Sequence, residues 1–354
     1  MRYNIIMNIE YTRRLEKIEA VLLANLPRQA DRDWIASSFF AVPDAVRINH
    51  IDILLDPCRD LLARGGKRWR PLLMVLACEL AGGGERAYAL TPIIEFSHTA
   101  SLIHDDIEDH AETRRGKPAI HLIYGEDVAI NSASWLYFHA LSVIDVFPCS
   151  ESFKLILFKI ATREIRKLHL GQAMDIKWHR DPGFLPVRAE YEAMVMLKTG
   201  TLPYMAGEIG MLTGGKDAAE ARSFGELSAK IGVGFQVLDD VRNLTTGNPG
   251  KKRGDDIVEG KKSLPVIMHL EKHPEDNAFF SQAFIEARQE GIDSPYVEKI
   301  IERLSASGAI EQARQYGNQL IERSCLSLRG RYPGKEEADL IADLFDSMRD
   351  GLRE

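Results

Sequence analysis

The sequence predicts an all-α protein, and two observations support that class. Apolar residues recur at steps of three and four along several long stretches, as they do on one face of a helix. Alternating runs rich in Val, Ile and Thr between turn pairs, which are typical of strands, are missing. The clearest helical stretches are 71–82, 90–109, 152–178 and 221–244. One all-helical domain is the simplest architecture that fits this pattern.

The composition excludes several classes of protein. The chain has 354 residues, of which 45% are hydrophobic and 27% charged, with a net charge of −7. These proportions are typical of globular proteins, and the acidic balance argues against nucleic-acid binding, which usually needs a basic patch. The four cysteines form no CxxC pair, so we expect reduced thiols and a cytoplasmic location. No segment reaches the roughly 18 apolar residues of a membrane span.

The first 45 residues are predicted to form an N-terminal helical extension, followed by the main domain at 46–354. The chain starts with a polar segment and continues with an amphipathic one. This pattern predicts a helix rather than a signal peptide or a membrane anchor. Later in the chain, the polar segment TTGNPGKKRG at 245–254 is rich in glycine and basic residues. Such a segment predicts a mobile loop near a site.

Two of the helical stretches carry aspartates in a similar arrangement. LIHDDIED (102–109) and QVLDDVRN (236–243) each place two adjacent aspartates after apolar residues, with a further oxygen-bearing side chain four positions after the first. Positions four apart share one face of a helix. Carboxylates this close repel each other unless a cation lies between them, and oxygen ligands suit Mg²⁺. The candidate metal ligands are Asp105, Asp106, Asp109, Asp239, Asp240 and Asn243.

A single cluster of this kind is more often a solvated acidic face at a helix end. Two clusters on otherwise apolar helices, far apart in the sequence, make that explanation much weaker. Helices that carry such clusters can face each other across a cavity and bind one diphosphate from both sides. Bound metal ions would then neutralise the leaving group as its charge develops.

A diphosphate site also needs cations, and the chain offers several. Arg114 and Arg115 follow the first cluster after a short loop, and GGKRWRP at 65–71 places two further cations at a predicted helix start. Pro71 suits the first turn of that helix, whose N–H groups would attract an anion. The segment is not a P-loop, because its glycine spacing fails and its lysine is followed by Arg. Each of these motifs is uninformative alone.

Taken in order, these segments resemble the trans-isoprenyl diphosphate synthases, and most closely the geranylgeranyl diphosphate synthases. The resemblance extends from about Gly65 to Pro265, and the first 45 residues match nothing in it. It implies a helical bundle around a central cavity, about three Mg²⁺ ions per active site and a homodimer. The segments that carry it are GGKRWRP (65–71), SLIHDDIEDHAETRRGKPAIH (101–121), GQAMD (171–175), LKTG (197–200), FQVLDD (235–240) and GDDIVEGKKSLP (254–265).

The resemblance implies a role for each matching residue at the allylic substrate. The principal Mg²⁺ ligands would be Asp105, Asp109 and Asp239, supported by Asp106 and Asp240, with Asp175 reaching a metal-bound water. The cations that hold the allylic diphosphate would be Arg114, Lys198 and Lys261, joined by Lys252 when its loop closes. The residues beside the first allylic carbons would be Thr199 and Gln236, and Gln172 would line the site.

The resemblance also implies a separate site for isopentenyl diphosphate. Its residues would be Gly66, Lys67, Arg70, His98 and Arg115. One departure from many farnesyl synthases is Asn243, which stands where they have a third aspartate. The geranylgeranyl-type relatives share this change, so it marks a subtype rather than a lost function.

The length of the product should depend on the side chains that precede the first cluster on its helix. One helical turn rises about 5.4 Å, close to the length of one isoprene unit. The residues four, five and eight positions before Asp105 are Ser101, Ala100 and Ser97, and all three are small. A channel beneath them should therefore run past a C15 product. A neighbouring aromatic residue, Tyr137 or Phe138, would then stop the chain near C20.

The implied reaction is ionisation of the allylic diphosphate, condensation with isopentenyl diphosphate, and elimination of a proton. The released diphosphate serves as the base, and the pocket must exclude water from the carbocation. The expected product is geranylgeranyl diphosphate, and a farnesyl or longer product is the alternative. A class I terpene cyclase is a less favoured reading because it needs no second diphosphate site. A non-catalytic partner subunit is less favoured because both aspartate clusters are intact.

Overall fold

The computed structural model describes residues 9–247 and 252–350, including every side chain in those ranges except that of Asp350. These ranges contain seventeen α-helices, two short 3₁₀ helices and one small β-hairpin. The predicted all-α class is therefore confirmed. None of the described helices combines the length and the apolar character that crossing a bilayer requires.

The chain divides into two compact units. Unit 1 comprises the described residues up to Arg163 together with Met205–Arg222, and unit 2 comprises Glu164–Tyr204 and the described residues from Ser223 onward. The helices of unit 1 are α1 (Ile9–Asn25), α2 (Arg32–Phe39), α3 (Ile48–Ala63), α4 (Trp69–Leu80), α5 (Thr91–Glu108), α6 (Ile120–Tyr124) and α7 (Glu126–Val146). The helices with residues in both units are α8 (Glu151–Arg180), α10 (Thr201–Thr213) and α11 (Ala218–Thr245).

The remaining helices belong to unit 2. They are α9 (Arg188–Lys198), α12 (Asp255–Glu259), α13 (Leu264–Lys272), α14 (Asn277–Glu290), α15 (Pro295–Ala306), α16 (Ala309–Arg331) and α17 (Glu336–Asp350). The 3₁₀ helices are Gly84–Leu90 and Pro274–Asp276, and the hairpin strands are β1 (Thr113–Arg114) and β2 (Lys117–Pro118). The four stretches with the clearest helical pattern became α4, α5, α8 and α11, each within three residues of the predicted bounds.

The N-terminal helix α1 packs into the core of unit 1. Its Ile18 and Leu22 are fully buried, and Arg14 forms an ion pair of 2.8 Å with Glu79 on α4. Helix α1 therefore belongs to the core of this unit, and the division of the chain at residue 45 stays a prediction. Residues 1–8 lie outside the described part of the chain.

Helices α4 and α5 lie in the interior of unit 1, and most of their residues are buried. Ten of the twelve residues of α4 are buried, as are eleven of the eighteen residues of α5. A helix that is apolar on all sides is stable only when other elements cover it. A proline at the start of α5 fits the first turn, where a backbone N–H is not needed. This packing fixes the end of α5, where the first aspartates lie.

Candidate active site

The first aspartate cluster, residues 105–109, lies at the C-terminal end of α5. The helix ends at Glu108, and Asp109 is the capping residue, whose N–H donates to the Asp105 carbonyl oxygen. Asp105 and Asp109 are half-buried, whereas Asp106 is completely buried. The next residue, His110, has a positive φ of 54°, which turns the chain away from the helix. Two carboxylates thus lie one turn apart, as the spacing predicts.

The buried carboxylate of Asp106 is paired with Arg114. The Arg114 Nε donates to Asp106 Oδ1 at 2.7 Å, and its Nη2 lies 3.5 Å from Asp105 Oδ2. Burial raises the pKa of Asp106, although the Arg114 guanidinium opposes the shift. The predicted substrate cation is therefore held in place by the aspartate cluster itself.

A hairpin that the sequence did not predict directs the two arginines to different partners. Arg114 pairs with Lys117 in the β1–β2 ladder, and the two intervening residues, Arg115 and Gly116, have φ values of 54° and 76°. Positive φ at both central positions is typical of the two-residue turns of hairpins. Arg64 at the end of α3 donates to the carbonyl oxygens of Arg114 (3.0 Å) and Pro118 (2.8 Å), which fixes the hairpin.

Arg115 extends from this turn to the loop that precedes α4. Its guanidinium donates to the carbonyl oxygens of Leu61 (3.1 Å) and Gly65. A Cβ added at Gly66 would lie 3.0 Å from Arg115 Nη2 and 3.2 Å from Arg68 Nη1, so there is little room for a side chain. Gly66 also has a φ of 154°, which favours glycine. The glycine that the sequence assigns to the isopentenyl diphosphate site is thus needed for the loop to pass between two guanidinium groups.

The predicted isopentenyl diphosphate residues lie together around this loop. Arg70 Nη1 lies 3.4 Å from His98 Nε2, and Lys67 is half-buried in the same loop. Burial lowers the pKa of Arg70 and of Arg115 to about 10, so both remain cations at neutral pH. Burial and the Arg70 charge hold the pKa of His98 well below its usual range, so its ring is neutral. The loop therefore brings together cations and a neutral histidine, a combination that suits an anion.

Glu95 is a member of this site that the sequence analysis missed. Its carboxylate is 2% exposed and accepts from Arg68 Nη1 at 2.7 Å. Its negative charge also raises the pKa of Arg70 and of Arg115, against the effect of burial. A single carboxylate inside the apolar run TPIIEFS was the available signal, because a buried charge needs a partner.

In unit 2, the second aspartate cluster, residues 239–243, lies within α11. Asp239 is exposed and Asp240 is buried. The Asp240 carboxylate accepts from the Tyr191 hydroxyl at 2.6 Å, from Gln236 Nε2 at 3.1 Å and from the Leu264 backbone N–H at 3.2 Å. Burial raises the pKa of Asp240 to about 6, although these donors oppose the shift. Tyr191 was not foreseen, and no local motif marks it.

The predicted residues of the α9–α10 junction lie close to partners that were also predicted. Lys198 Nζ donates to Asp175 Oδ2 on α8 at 2.6 Å, and the Thr199 hydroxyl donates to Gln236 Oε1 at 3.0 Å. Gln236 in turn donates to Asp240, so a hydrogen-bonded chain connects the junction with the second cluster. Gln172 is half-buried on α8.

The glycine of the GQAMD motif explains how α8 comes so near to this junction. A Cβ added at Gly171 would lie 2.7 Å from the Leu197 carbonyl carbon and 2.8 Å from Lys198 Cα. Real Cβ atoms do not approach other atoms so closely. Only glycine therefore allows the backbone of α8 to pack at this distance and present Asp175 to Lys198.

The segment after α11 brings further predicted residues together. Asn243 is completely buried, and its Oδ1 accepts from the Asp256 N–H at 3.3 Å. Lys261 forms ion pairs with Glu259 and, at 3.9 Å, with Asp256. The backbone N–H of Lys252 donates to Asp255 at 2.6 Å. The predicted mobile loop falls partly on residues 248–251, which lie outside the described residues. Metal binding by Asn243 and closure of Lys252 stay predictions.

The small residues on α5 differ in their surroundings. Ser97 and Ala100 are completely buried, and Ser101 is half-buried with its hydroxyl bonded to the His98 carbonyl oxygen at 2.8 Å. Tyr137 is buried, and its ring lies 5.9 Å from that of His104. The suggestion that Phe138 forms a floor within this unit is wrong, because its side chain is 76% exposed. It lies on the outer face of α7, which the local sequence alone did not show.

The carboxylates suit Mg²⁺ as part of a shared ligand set. Within residues 9–247 and 252–350, no three His, Cys, Asp or Glu side chains already surround one metal position. Mg²⁺ commonly takes only one or two carboxylates and completes its octahedron with water and substrate phosphates. Asp105 and Asp109 provide such a pair, and Asp106 Oδ2 beside them is a buried carboxylate oxygen without a hydrogen-bond partner. The donor set therefore fits a metal that binds together with a diphosphate.

Comparisons with known proteins agree with this geometry. Residues 51–303 match the family model of the polyprenyl synthetases. The chain is 34% identical to a geranylgeranyl pyrophosphate synthase of Eremothecium gossypii over 84% of this chain and 93% of that protein. It is 36% identical to a geranylfarnesyl diphosphate synthase of Aeropyrum pernix over 60% of this chain and 69% of that protein.

A solved structure supports the fold over nearly the whole length. The crystal structure of geranylgeranyl pyrophosphate synthetase from Pyrococcus horikoshii Ot3 superposes with a TM-score of 0.80. It is 25% identical and covers 97% of this chain and 96% of that chain. The family predicted from the motifs is confirmed: this chain belongs to the polyprenyl synthetase family of prenyl transferases.

Proposed function

We propose that this protein condenses isopentenyl diphosphate with an allylic diphosphate and that its main product is geranylgeranyl diphosphate. One observation carries the proposal: unit 1 holds two separate sets of cations. Arg114 is bound to the first aspartate cluster, whereas Arg70 and Arg115 lie around the loop before α4 with a neutral His98. An enzyme that joins two diphosphate substrates needs both sets, and a terpene cyclase needs only one.

The proposed reaction assigns a role to each of these groups. In unit 1, Arg114 binds the allylic diphosphate. In unit 2, Asp175 keeps the Lys198 ammonium in place through its 2.6 Å bond. Asp105, Asp109 and Asp239 would hold Mg²⁺, which would supply positive charge to the leaving diphosphate. The oxygens of Thr199 and Gln236 stabilise the allylic cation. The isopentenyl double bond attacks this cation, and the released diphosphate removes the proton.

The predicted chain length rests on small side chains at Ser97, Ala100 and Ser101. A named relative makes geranylgeranyl diphosphate, but another of similar identity makes the longer geranylfarnesyl product. Incubation with labelled isopentenyl diphosphate and C5, C10 or C15 primers, followed by chromatography of the dephosphorylated products, tests the proposal. We expect a C20 product from each primer. Failure to incorporate the label would contradict prenyl transfer, and a C25 or longer product would contradict only the length.

A variant tests the floor of the channel. Ala100→Phe adds a large ring to a completely buried position on α5. If the product grows beside this helix, the variant should release mainly C15. The conservative variant Ala100→Ser serves as control and should still make C20. An unchanged product length in the Phe variant, with the fold intact by circular dichroism, would contradict the floor assigned to α5.

The requirement for metal can be tested at both clusters. Asp105→Ala and Asp239→Ala each remove one proposed Mg²⁺ ligand, and we expect each to lower kcat about 10³-fold because the leaving charge loses several kcal/mol of stabilisation. Binding of Mn²⁺, followed by electron paramagnetic resonance in the presence of diphosphate, should show fewer bound ions in each variant. Wild-type binding and activity in both variants would contradict this ligand assignment. About three ions per active site are expected in the wild type.

We also propose that the protein forms a homodimer and that it is located in the cytoplasm. Five exposed apolar side chains lie along α7 and the start of α8, and we propose that a second copy of this chain covers them. They are Ile130, Phe138, Val146, Leu155 and Ile156. Phe138→Glu should yield a monomer in sedimentation equilibrium, and a wild-type monomer would contradict the dimer. Cell fractionation tests the location.

A further inference from the structure

Arg68 lies in the middle of the GGKRWRP loop, yet the proposed mechanism gives it no role. Its neighbours Lys67 and Arg70 are substrate-binding cations in that proposal. Arg68 itself is 6% exposed and has φ 48° and ψ 24°, in the left-handed region. A non-glycine residue in this conformation costs on the order of 1–3 kcal/mol, so the surrounding structure must maintain it. Strained backbone of this kind is common at ligand sites.

Two carboxylates from different helices hold the Arg68 guanidinium. Glu19 on α1 accepts from both Nε and Nη2 at 3.1 Å, and Glu95 on α5 accepts from Nη1 at 2.7 Å. Arg68 Nη2 also donates to the Leu62 carbonyl oxygen at 2.7 Å. The planar guanidinium can make such a two-bond contact with one carboxylate, which a lysine cannot. These contacts fix both the side chain and the backbone of the loop.

The position of Glu19 has a consequence for the charge of the site. The buried carboxylate of Glu95 accepts from Arg68, and its charge also raises the pKa of Arg70 and Arg115. Without Glu19, Arg68 would depend on Glu95 alone and would remain a poorly compensated buried cation beside the other two. With Glu19 in place, its carboxylate on α1 compensates the charge of Arg68. The positive charges of Arg70 and Arg115 then remain in excess and can bind an anion.

We propose that Glu19 and Arg68 are positioning residues of the isopentenyl diphosphate site, so that the N-terminal helix α1 is part of that site. Neither residue needs to touch the substrate. Together with Glu95 they hold the left-handed turn between Lys67 and Arg70, whose guanidinium lies 3.4 Å from His98 Nε2. This inference rests on the proposed function, because it assumes that the loop binds isopentenyl diphosphate.

The test compares two ion pairs that α1 forms. Glu19→Gln keeps the size of the side chain but removes the charge that Arg68 needs. Glu79→Gln is the matched control, since Glu79 pairs with Arg14 of α1 at 2.8 Å but makes no contact with the loop. We expect Glu19→Gln to raise KM for isopentenyl diphosphate about tenfold, a loss of about 1.4 kcal/mol, with kcat and the allylic KM changed less than twofold. The control should leave all three constants unchanged.

Arg68→Lys provides a second variant in case Glu19→Gln folds poorly. It keeps the charge but loses the two-bond contact, and it should reproduce the selective rise in KM. Calorimetric titration with isopentenyl diphosphate should show a matching weakening of binding. Equal effects of Glu19→Gln and Glu79→Gln, or a fall in kcat with both KM values altered, would show a merely structural role and overturn the inference. Failure of the wild type to incorporate isopentenyl diphosphate would instead refute the proposed function on which it rests.

Discussion

The two aspartate clusters look alike in sequence, but their buried members are held by different chemistry. At the end of α5, Asp106 pairs with the Arg114 guanidinium. Within α11, Asp240 receives three neutral donors, the Tyr191 hydroxyl, the Gln236 amide and a backbone N–H. In both clusters the first aspartate is more accessible than the second. The second aspartate thus anchors the cluster, and the first is the more accessible of the two.

The difference shows how each cluster connects to substrate. In unit 1, Arg114 pairs with the buried carboxylate of Asp106 and is also proposed to bind the substrate diphosphate. The fold and the diphosphate site therefore depend on the same arginine. In unit 2, Gln236 donates to Asp240 and accepts from the Thr199 hydroxyl. The oxygens of Gln236 and Thr199 are the neutral groups that we propose to stabilise the carbocation. Burial raises the pKa of both buried carboxylates, that of Asp240 to about 6, but only Asp106 has a full positive charge beside it. Neutral donors therefore hold the second cluster less strongly than a charge holds the first.

Removing each anchor should show this difference directly. Arg114→Gln leaves the fully buried Asp106 without its charge partner and should lower the free energy of unfolding by about 3 kcal/mol. Tyr191→Phe removes one of three neutral donors from Asp240 and should cost about 1–2 kcal/mol. Urea unfolding followed by circular dichroism measures both. An equal or larger loss in the Tyr191 variant would reverse the ranking of the two anchors.

The close packing of α8 on the α9–α10 junction is a feature of unit 2. Gly171→Ala would force the junction outward, with an expected loss of about 1–3 kcal/mol of stability. Because Lys198 would move, kcat should also fall about 10²-fold. Gly330→Ala is the control, since a Cβ there meets no atom within 4 Å and should be neutral or slightly stabilising. A Gly171 variant with wild-type kcat would disprove the close-approach explanation.

A smaller effect is expected at Lys262, a buried cation of unit 2. Its amino group contacts the Gly260 carbonyl oxygen at 3.2 Å and lies over the Phe284 ring at 3.8 Å, whereas the buried Arg68 and Arg114 of unit 1 meet carboxylates. Burial, aided by the Arg288 charge, lowers the pKa of Lys262 from 10.5 to about 8. Below pH 8 the folded protein therefore bears the cost of a buried charge.

Lys262→Met should accordingly stabilise the protein by about 1 kcal/mol at pH 7, after the lost contacts are subtracted. In the wild type, the unfolded chain holds a proton that the folded chain has released between pH 8 and 10.5, so its stability rises with pH across that window. The advantage of the variant should shrink there. Unfolding in urea from pH 7 to 10 measures this, with the exposed Lys230→Met as control. A gain that stays constant with pH would contradict the low pKa.

Local sequence patterns predicted the fold class, the four main helices and the aspartate clusters, because each depends on residues within a few turns of each other. The resemblance then supplied roles, and the structure brings Lys198 to Asp175 and Thr199 to Gln236. The β1–β2 hairpin escaped prediction because its strands have only two residues each. Glu19, Glu95 and Tyr191 were missed because none of them belongs to a motif of substrate-binding residues. Arg68 belongs to the GGKRWRP motif, but its carboxylate partners Glu19 and Glu95 lie far from it in the sequence.

The sequence by itself determined that α5 and α11 are helices and that each presents carboxylates one turn apart, since helical geometry follows from local spacing. Only the tertiary structure decided which groups compensate the buried charges. Arg68 and Glu19 are 49 residues apart, as are Tyr191 and Asp240. A buried charge is tolerated only when a partner lies within hydrogen-bonding distance. Which residue becomes that partner depends on how the helices pack, and spacing along the chain does not encode it.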